Sequence, residues 1–270
     1  MKKILLFLTV ISLYPCIGQE EIYFKVGYLP NHQYTLSQKN ILEISITYIT
    51  SDEMLEALKM NGIENPMINR DTTWLKSSIR TKSLQNDEIP IEMEWLESNN
   101  SELKPGTKLF GKSKGQNIAI DSIVSSAMTE ENKKYFFTSL EAMMNQIQLP
   151  TAQTVKVGES FEQLIPISIP AGNRIIDMDV KSIYTLKTVK DGIGFFDIEQ
   201  VCTVNSEIEG LGLNFSGSGK GQLEYDINKE FFSNYLLDMV IDLTMDIEDI
   251  KLETKTKTTI EQTIEIQKTN

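Results

Sequence analysis

The chain has 270 residues, 40% of them hydrophobic, which is enough apolar material for a buried core in one large or two modest domains and excludes a disordered segment. Its formal charge of −12 speaks against nucleic acid and anionic lipid head groups as partners. A single histidine and two cysteines leave little material for imidazole- or thiolate-based metal sites.

The amino terminus has the pattern of an export signal. Lys2 and Lys3 supply the positive start, Ile4 to Leu13 an apolar run, and Cys16-Ile17-Gly18 small residues ahead of cleavage before Gln19. Lipidation at Cys16 is the competing reading, but Pro15 is a poor neighbour for it. Removing residues 1–18 takes away two lysines and no acid, so −12 becomes −14. The mature protein is expected to be soluble and periplasmic or extracellular, possible attachment to the outer membrane included, since no later segment is continuously apolar over about 20 residues. Cys202 then has no partner in its own chain, and its acidic neighbours Glu199 and Glu207 mark it as a buried small hydrophobe rather than a reactive thiol.

Ile22 to Ile49 is strand-like, with Leu42, Ile44, Ile46 and Tyr48 alternating against polar residues and a turn at Pro30-Asn31. Ser51, Asp52, Glu53 and the stripe Met54, Leu55, Leu58 predict a short helix closed by Gly62. Strands follow over 72–83, 89–96 and 109–123. The strongest helix begins at the N-cap Thr129: Phe136, Leu140, Met143, Met144 and Ile147 share one face, and Pro150 ends it. That stripe is suited to covering a sheet, and its methionines to lining a pliable apolar pocket.

Beyond the helix the pattern is strand and turn. Phe161 to Ile169, Ile176 to Leu186, and Phe195 to Asn205 are separated by Pro170-Ala171-Gly172-Asn173 and by the hairpin signal Asp191-Gly192. Gly210, Gly212, Gly217, Gly219 and Gly221 suggest a glycine-punctuated hairpin. Asp226 to Lys229 turns the chain into the organising strand, in which Tyr235, Leu237, Met239, Ile241, Leu243, Met245 and Ile247 occupy every second position. Ile260, Ile264 and Ile266 give a last strand, and Lys251, Lys255 and Lys257 are read as edge protection. A Lys-Gly-Gln echo at 114–116 and 220–222 raises a duplication of two β units.

The expected fold is mainly β (α+β): a large curved antiparallel sheet or half-barrel meander covered by one prominent amphipathic helix. Residues 1–18 form the signal peptide, 19–128 an N-terminal β-rich half, 129–150 the helix and 151–270 a C-terminal antiparallel half, both halves in one globule. The C-terminal meander is expected to lie with its apolar face beneath the helix.

Catalytic constellations are missing. His32 lies in a turn, away from any nucleophile pattern, and Ser218 stands where a phosphate loop needs lysine. Asp238, Asp242 and Asp246 are spaced at roughly 13 Å intervals along a strand, too far apart to share a calcium ion. No metal, cofactor or catalytic residue is assigned.

The signal ending Gly18-Gln19, the segment Leu149-Pro150 through Val155-Lys156-Val157-Gly158-Glu159-Ser160-Phe161, and Gly219-Lys220-Gly221 together resemble an uncharacterised family of exported Bacteroidota proteins, a domain of unknown function. The resemblance implies export and a β-rich build and carries no catalytic residue. The functional expectation is a non-enzymatic envelope or secreted protein that binds a lipid, another apolar small molecule or an envelope protein between sheet and helix. Its weak ligand-lining candidates are Phe136, Leu140, Met143, Met144 and Ile147. The alternative is a carboxylate-dependent hydrolase such as a glycosidase.

Overall fold

A computed structural model describes residues 20–269 except 102, 116, 135, 138, 139, 141–149, 172, 173, 205–213 and 248. Eleven antiparallel strands form one open sheet in the order β6-β5-β4-β3-β2-β13-β12-β11-β10-β9-β8. Two meanders compose it. The first runs through β2 (His32–Ile49), β3 (Met67–Thr81), β4 (Ile89–Ser98), β5 (Lys108–Lys114) and β6 (Asn117–Val124). The second runs through β8 (Ser160–Ala171), β9 (Arg174–Lys190), β10 (Ile193–Val204), β11 (Asn214–Asp226), β12 (Phe231–Ile247) and β13 (Ile250–Lys268).

Short turns with the expected chemistry set these neighbours. Asp191 and Gly192 take positive φ of 52° and 78° between β9 and β10, as a two-residue hairpin turn requires. Asp226 Oδ1 accepts from the backbone N–H of Asn228 and of Lys229, both at 3.1 Å, and so locks the turn into β12. The short helix α1 (Asp52–Met60) is capped by Ser51, whose hydroxyl accepts from Met54 N at 3.4 Å, and none of its residues is buried.

The two meanders become one sheet through β2 and β13, which pair from Lys251↔Ile49 to Lys268↔His32. This corrects the expectation that Lys251, Lys255 and Lys257 guard an edge. β13 is the central strand, and its lysines lie on the solvent face, where Lys255 meets Asp242 at 3.8 Å and Lys257 meets Glu43 at 3.1 Å. A pairing between strands some 200 residues apart leaves no local trace in the pattern.

In the glycine-rich stretch, Gly210 and Gly212 lie outside the described residues, and the other three glycines do not reverse the chain. Gly217, Gly219 and Gly221 fall within the continuous strand β11. Neighbouring residues fill the space their side chains would need. A Cβ at 217 would lie 2.9 Å from Cys202 Cβ, one at 219 would lie 2.8 Å from Met239 Cγ, and one at 221 would collide with the backbone carbonyl of Leu236. Glycine here is demanded by close packing rather than by chain reversal. The Lys-Gly-Gln echo loses structural weight for the same reason: Lys114 closes β5 and Gly115 turns with φ of 60°, whereas Lys220 and Gly221 are mid-strand.

One end of the sheet holds the core. A contiguous cluster includes Phe161 of β8, Leu186 of β9, Phe196 and Ile198 of β10, Leu223 and Tyr225 of β11, Phe231 and Leu237 of β12, Ile266 of β13, Tyr34 of β2, Ile79 of β3 and Ile91 of β4. Across it lies a separate two-stranded ribbon, β1 (Glu21–Phe24) paired with β7 (Gln153–Lys156), which inserts Ile22, Phe24 and Val155. Phe24 is fully buried against the rings of Phe161, Phe196 and Tyr225, with centroids 4.7–5.4 Å apart. Tyr225 pins this ribbon: its hydroxyl donates to Lys25 O at 2.6 Å and accepts from Lys25 N at 3.1 Å.

Only the first part of the expected covering helix lies within the described residues. Thr129 does cap a second helix, accepting from Asn132 N through its hydroxyl at 3.2 Å and from Lys133 N through its carbonyl at 2.9 Å. Its Phe136, however, meets Trp95 of β4 edge to face at 5.3 Å, in the first meander. Among the described residues the core of the second meander is covered by β1 and β7. An amphipathic stripe specifies that a helix must cover something, but not which half of a sheet it covers.

Candidate functional site

Register divides the sheet into a solvent face and a core face, since residues opposite one another in adjacent strands share a side. The solvent face is a field of cross-strand ion pairs, among them Arg70–Glu43 at 2.8 Å, Lys181–Glu162 at 2.8 Å and Lys39–Glu261 at 3.6 Å. Asp238 and Asp242 belong to it, bonded by Thr259 and Lys255 respectively, as a solvated row of charges.

The core face continues past the aromatic cluster for another ten or so residues per strand, roughly 30 Å. Its character changes there. On β12 the side chains are Ile241, Leu243 and Met245; their partners in β11 are Gly217 and Phe215, and in β13 Thr256, Thr254 and Leu252. Leu42, Ile44, Ile46 and Tyr48 of β2 extend this surface on one side, and Val204, Val180, Met178, Ile165 and Ile167 of β10, β9 and β8 on the other. Most of these residues are half-buried, with Cys202 and Met178 fully so. By register, the charged positions of this distal core face in β8–β13, β2 and β3 among the described residues are Asp71 of β3 and, at its far end, Arg174 of β9.

A polar border separates this aliphatic surface from the aromatic core. Gln200 Nε2 donates to the buried Ser182 hydroxyl at 2.9 Å, and the Tyr184 hydroxyl donates to Gln163 at 3.5 Å. On the same face, in β2, Gln38 Nε2 donates to Asn40 Oδ1 at 3.1 Å. These are neutral hydrogen-bonding groups with little competition from charge. Burial drives the Tyr184 hydroxyl above its ordinary pKa, so it stays protonated as a donor.

Of the stripe predicted to line a ligand site, Phe136 and Leu140 are half-buried, and Phe136 stands on Trp95; Met143, Met144 and Ile147 lie outside the described residues. The strand residues that build the aliphatic surface were visible as alternating apolar positions in β2, β9 and β12, but their joint placement depends on the β2·β13 pairing. The polar border had no sequence signal, because isolated Gln and Ser in a strand look like solvent-facing residues.

Cys202 lies on the core face beside Val180 and Gly217, 5% exposed, and desolvation raises its pKa above the ordinary thiol value. It is an inert packing residue. His32 Nδ1 lies 2.7 Å from Pro30 O, and the His32 N–H donates to the Thr81 hydroxyl at 2.8 Å; these contacts fix a turn. Among the described residues no three His, Cys, Asp or Glu side chains gather to hold a metal ion, and no helix is long and apolar enough to cross a membrane. No family model matches the chain, and neither does any curated protein sequence.

Proposed function

We propose that the chain is an exported, non-enzymatic binding protein that holds an apolar ligand with an extended hydrocarbon portion against the distal core face. The helix that starts at 130 would be its cover, and the distal sheet would curve as a half-barrel around the ligand. One observation carries this reading. A surface of Ile, Leu, Val and Met side chains roughly 30 Å long continues beyond the packed core, half-buried and almost without charge. A sheet needing only stability would end its apolar rows where its covering layer ends, since exposed apolar area of this extent is uncommon unless it binds something. The neutral amides and hydroxyls of Gln163, Ser182 and Gln200 at its border suit an uncharged or weakly polar head group. The amino-terminal signal pattern supplies the case for export.

Native mass spectrometry of protein purified from its own periplasm or medium tests this directly. A co-purifying lipid or other apolar molecule is expected. Displacement of a fluorescent fatty-acid probe provides the second measurement, with Ile241→Glu and Leu243→Glu expected to abolish probe binding while leaving the far-ultraviolet circular dichroism unchanged. Delipidated protein that binds no probe, together with a bare mass in the native spectrum, would sink the reading.

A further inference from the structure

The solvent face carries a feature that neither the ion-pair field nor the core accounts for. Trp74 of β3 is 42% exposed and stands in an open groove of about 320 Å³. The groove lies where β13, β2 and β3 run side by side, and its walls are Lys39, Lys76, Glu97, Glu261 and Thr263. Trp95, the second tryptophan of the chain, is buried at 5%, so the exposure of Trp74 is not a general failure to bury indole. A half-exposed tryptophan amid charged side chains costs apolar hydration that any of the threonines around it would avoid.

The backbone beneath the ring is held in place. The β3·β4 ladder stops at Leu75↔Ser98, and the next residue, Asn99, finishes it with its side chain. Trp74 N donates to Asn99 Oδ1 at 2.8 Å, Asn99 N donates to Trp74 O at 3.3 Å, and Asn99 Nδ2 donates to Thr72 O at 2.7 Å. Three hydrogen bonds thus fix the backbone under an otherwise free aromatic plate. With its backbone already ordered, the plate has less entropy to lose when something stacks on it.

The charges in the walls cancel. Lys39 pairs with Glu261 at 3.6 Å and Lys76 with Glu97 at 3.8 Å, two cations against two anions. Such a groove has no net attraction for phosphate, nucleotide or an acidic peptide. What it does offer is a flat apolar plate ringed by donors and acceptors: lysine ammonium groups, carboxylate oxygens and the Thr263 hydroxyl. A neutral sugar ring has the complementary chemistry, one face of C–H bonds to lie on the indole and a rim of hydroxyls that both donate and accept. The volume falls within the range of small-molecule sites.

We infer that the Trp74 groove is a binding site for a neutral saccharide, on the face of the sheet opposite the apolar surface. It binds without cleaving; both of its carboxylates act as hydrogen-bond acceptors anchored by their lysines. It stands independently of the ligand proposed above.

The experiment uses the full mature chain against soluble neutral hexasaccharides of β-glucose, α-glucose, N-acetylglucosamine and mannose, with heparin fragments as the acidic control. Isothermal titration calorimetry and tryptophan fluorescence are the readouts. At least one neutral hexasaccharide is expected to bind and to shift the indole emission, heparin is not, and Trp74→Ala should weaken binding roughly tenfold or more. Trp74→Phe, which keeps a plate, should stay within a few-fold of the parent, and Glu97→Gln should reduce affinity to a lesser degree than Trp74→Ala. Because Trp74 is half-exposed, Trp74→Ala should melt with the parent. Absence of binding by every neutral hexasaccharide at millimolar concentration, preference for heparin, or unchanged affinity in Trp74→Ala would each overturn the assignment.

Discussion

The two ends of this sheet are made from the same strands and behave as different materials. At the end where β2 begins and β13 finishes, rings from seven elements meet: Phe24, Phe161, Tyr184, Phe196, Tyr225, Phe231 and Tyr34 are buried against one another or against the β1–β7 ribbon. At the other end the same core face carries Ile44, Ile46, Ile241, Leu243 and Met245, none of them fully buried. The pattern of alternation is equally strict at both. What differs is the presence of a second layer, because an apolar row becomes core only when something lies across it. Among the described residues, that second layer is the β1–β7 ribbon, and it anchors the aromatic end.

Removing the anchor should have the largest effect. Phe24→Ala deletes a fully buried ring that touches four others, and is expected to cost about 3–5 kcal/mol in denaturant unfolding. A loss below about 1 kcal/mol would mean that the ribbon does not hold the sheet. Tyr225→Phe keeps the ring but strips the hydroxyl that both donates to and accepts from Lys25; about 1–3 kcal/mol should be lost, since it leaves two part-buried backbone groups unpaired. At the opposite end Leu243→Ala should cost no more than about 1.5 kcal/mol, because much of its area is still wet, while weakening fatty-acid probe binding in a way that Phe24→Ala, measured on its folded fraction, does not. An equal stability cost at both ends would erase the distinction.

The smallest effects belong to the solvent face. Hydrogen bonds from Arg70 and then from Lys257 lower the Glu43 carboxyl below 4.5, with Lys257 also attracting it through charge. A carboxyl lowered on folding stabilises the native state above its unfolded pKa and stops doing so as pH falls through its folded value. Carbon-detected NMR titration should place the Glu43 midpoint below that of an unpaired glutamate, and Arg70→Gln should move it upward. The stability change from Arg70→Gln at neutral pH should be barely measurable, as for other exposed pairs.

Much of the second meander was legible residue by residue. Asp191-Gly192 and Asp226 to Lys229 turn where turn chemistry places them, and Leu237 and Ile241 face the side their alternation assigns. The misreadings have a common source. Gly217, Gly219 and Gly221 looked like a turn because a glycine run has two physical uses, chain reversal and room for neighbours, and only the position of Met239 and Cys202 across the strand distinguishes them. Lys255 looked like an edge guard because it falls between two apolar strand patterns, although it lies within β13, whose partner on one side comes from residues 32–49. The Trp74 groove was illegible altogether, since its walls come from four strands and β13 is some 200 residues away from β2.

By itself the sequence determined the strand content, the side of each strand that avoids water, the positions of the tight turns and the charged character of the solvent face, all of which depend on periods of two and on local backbone chemistry. Only the tertiary structure decided that the first and last long strands pair, that β1 and β7 lie across the aromatic end, and that Trp74 stands in a groove built from several strands. Those outcomes follow from contacts between residues more than a hundred positions apart, where the free energy of burial depends on which surfaces meet and no local pattern records the choice.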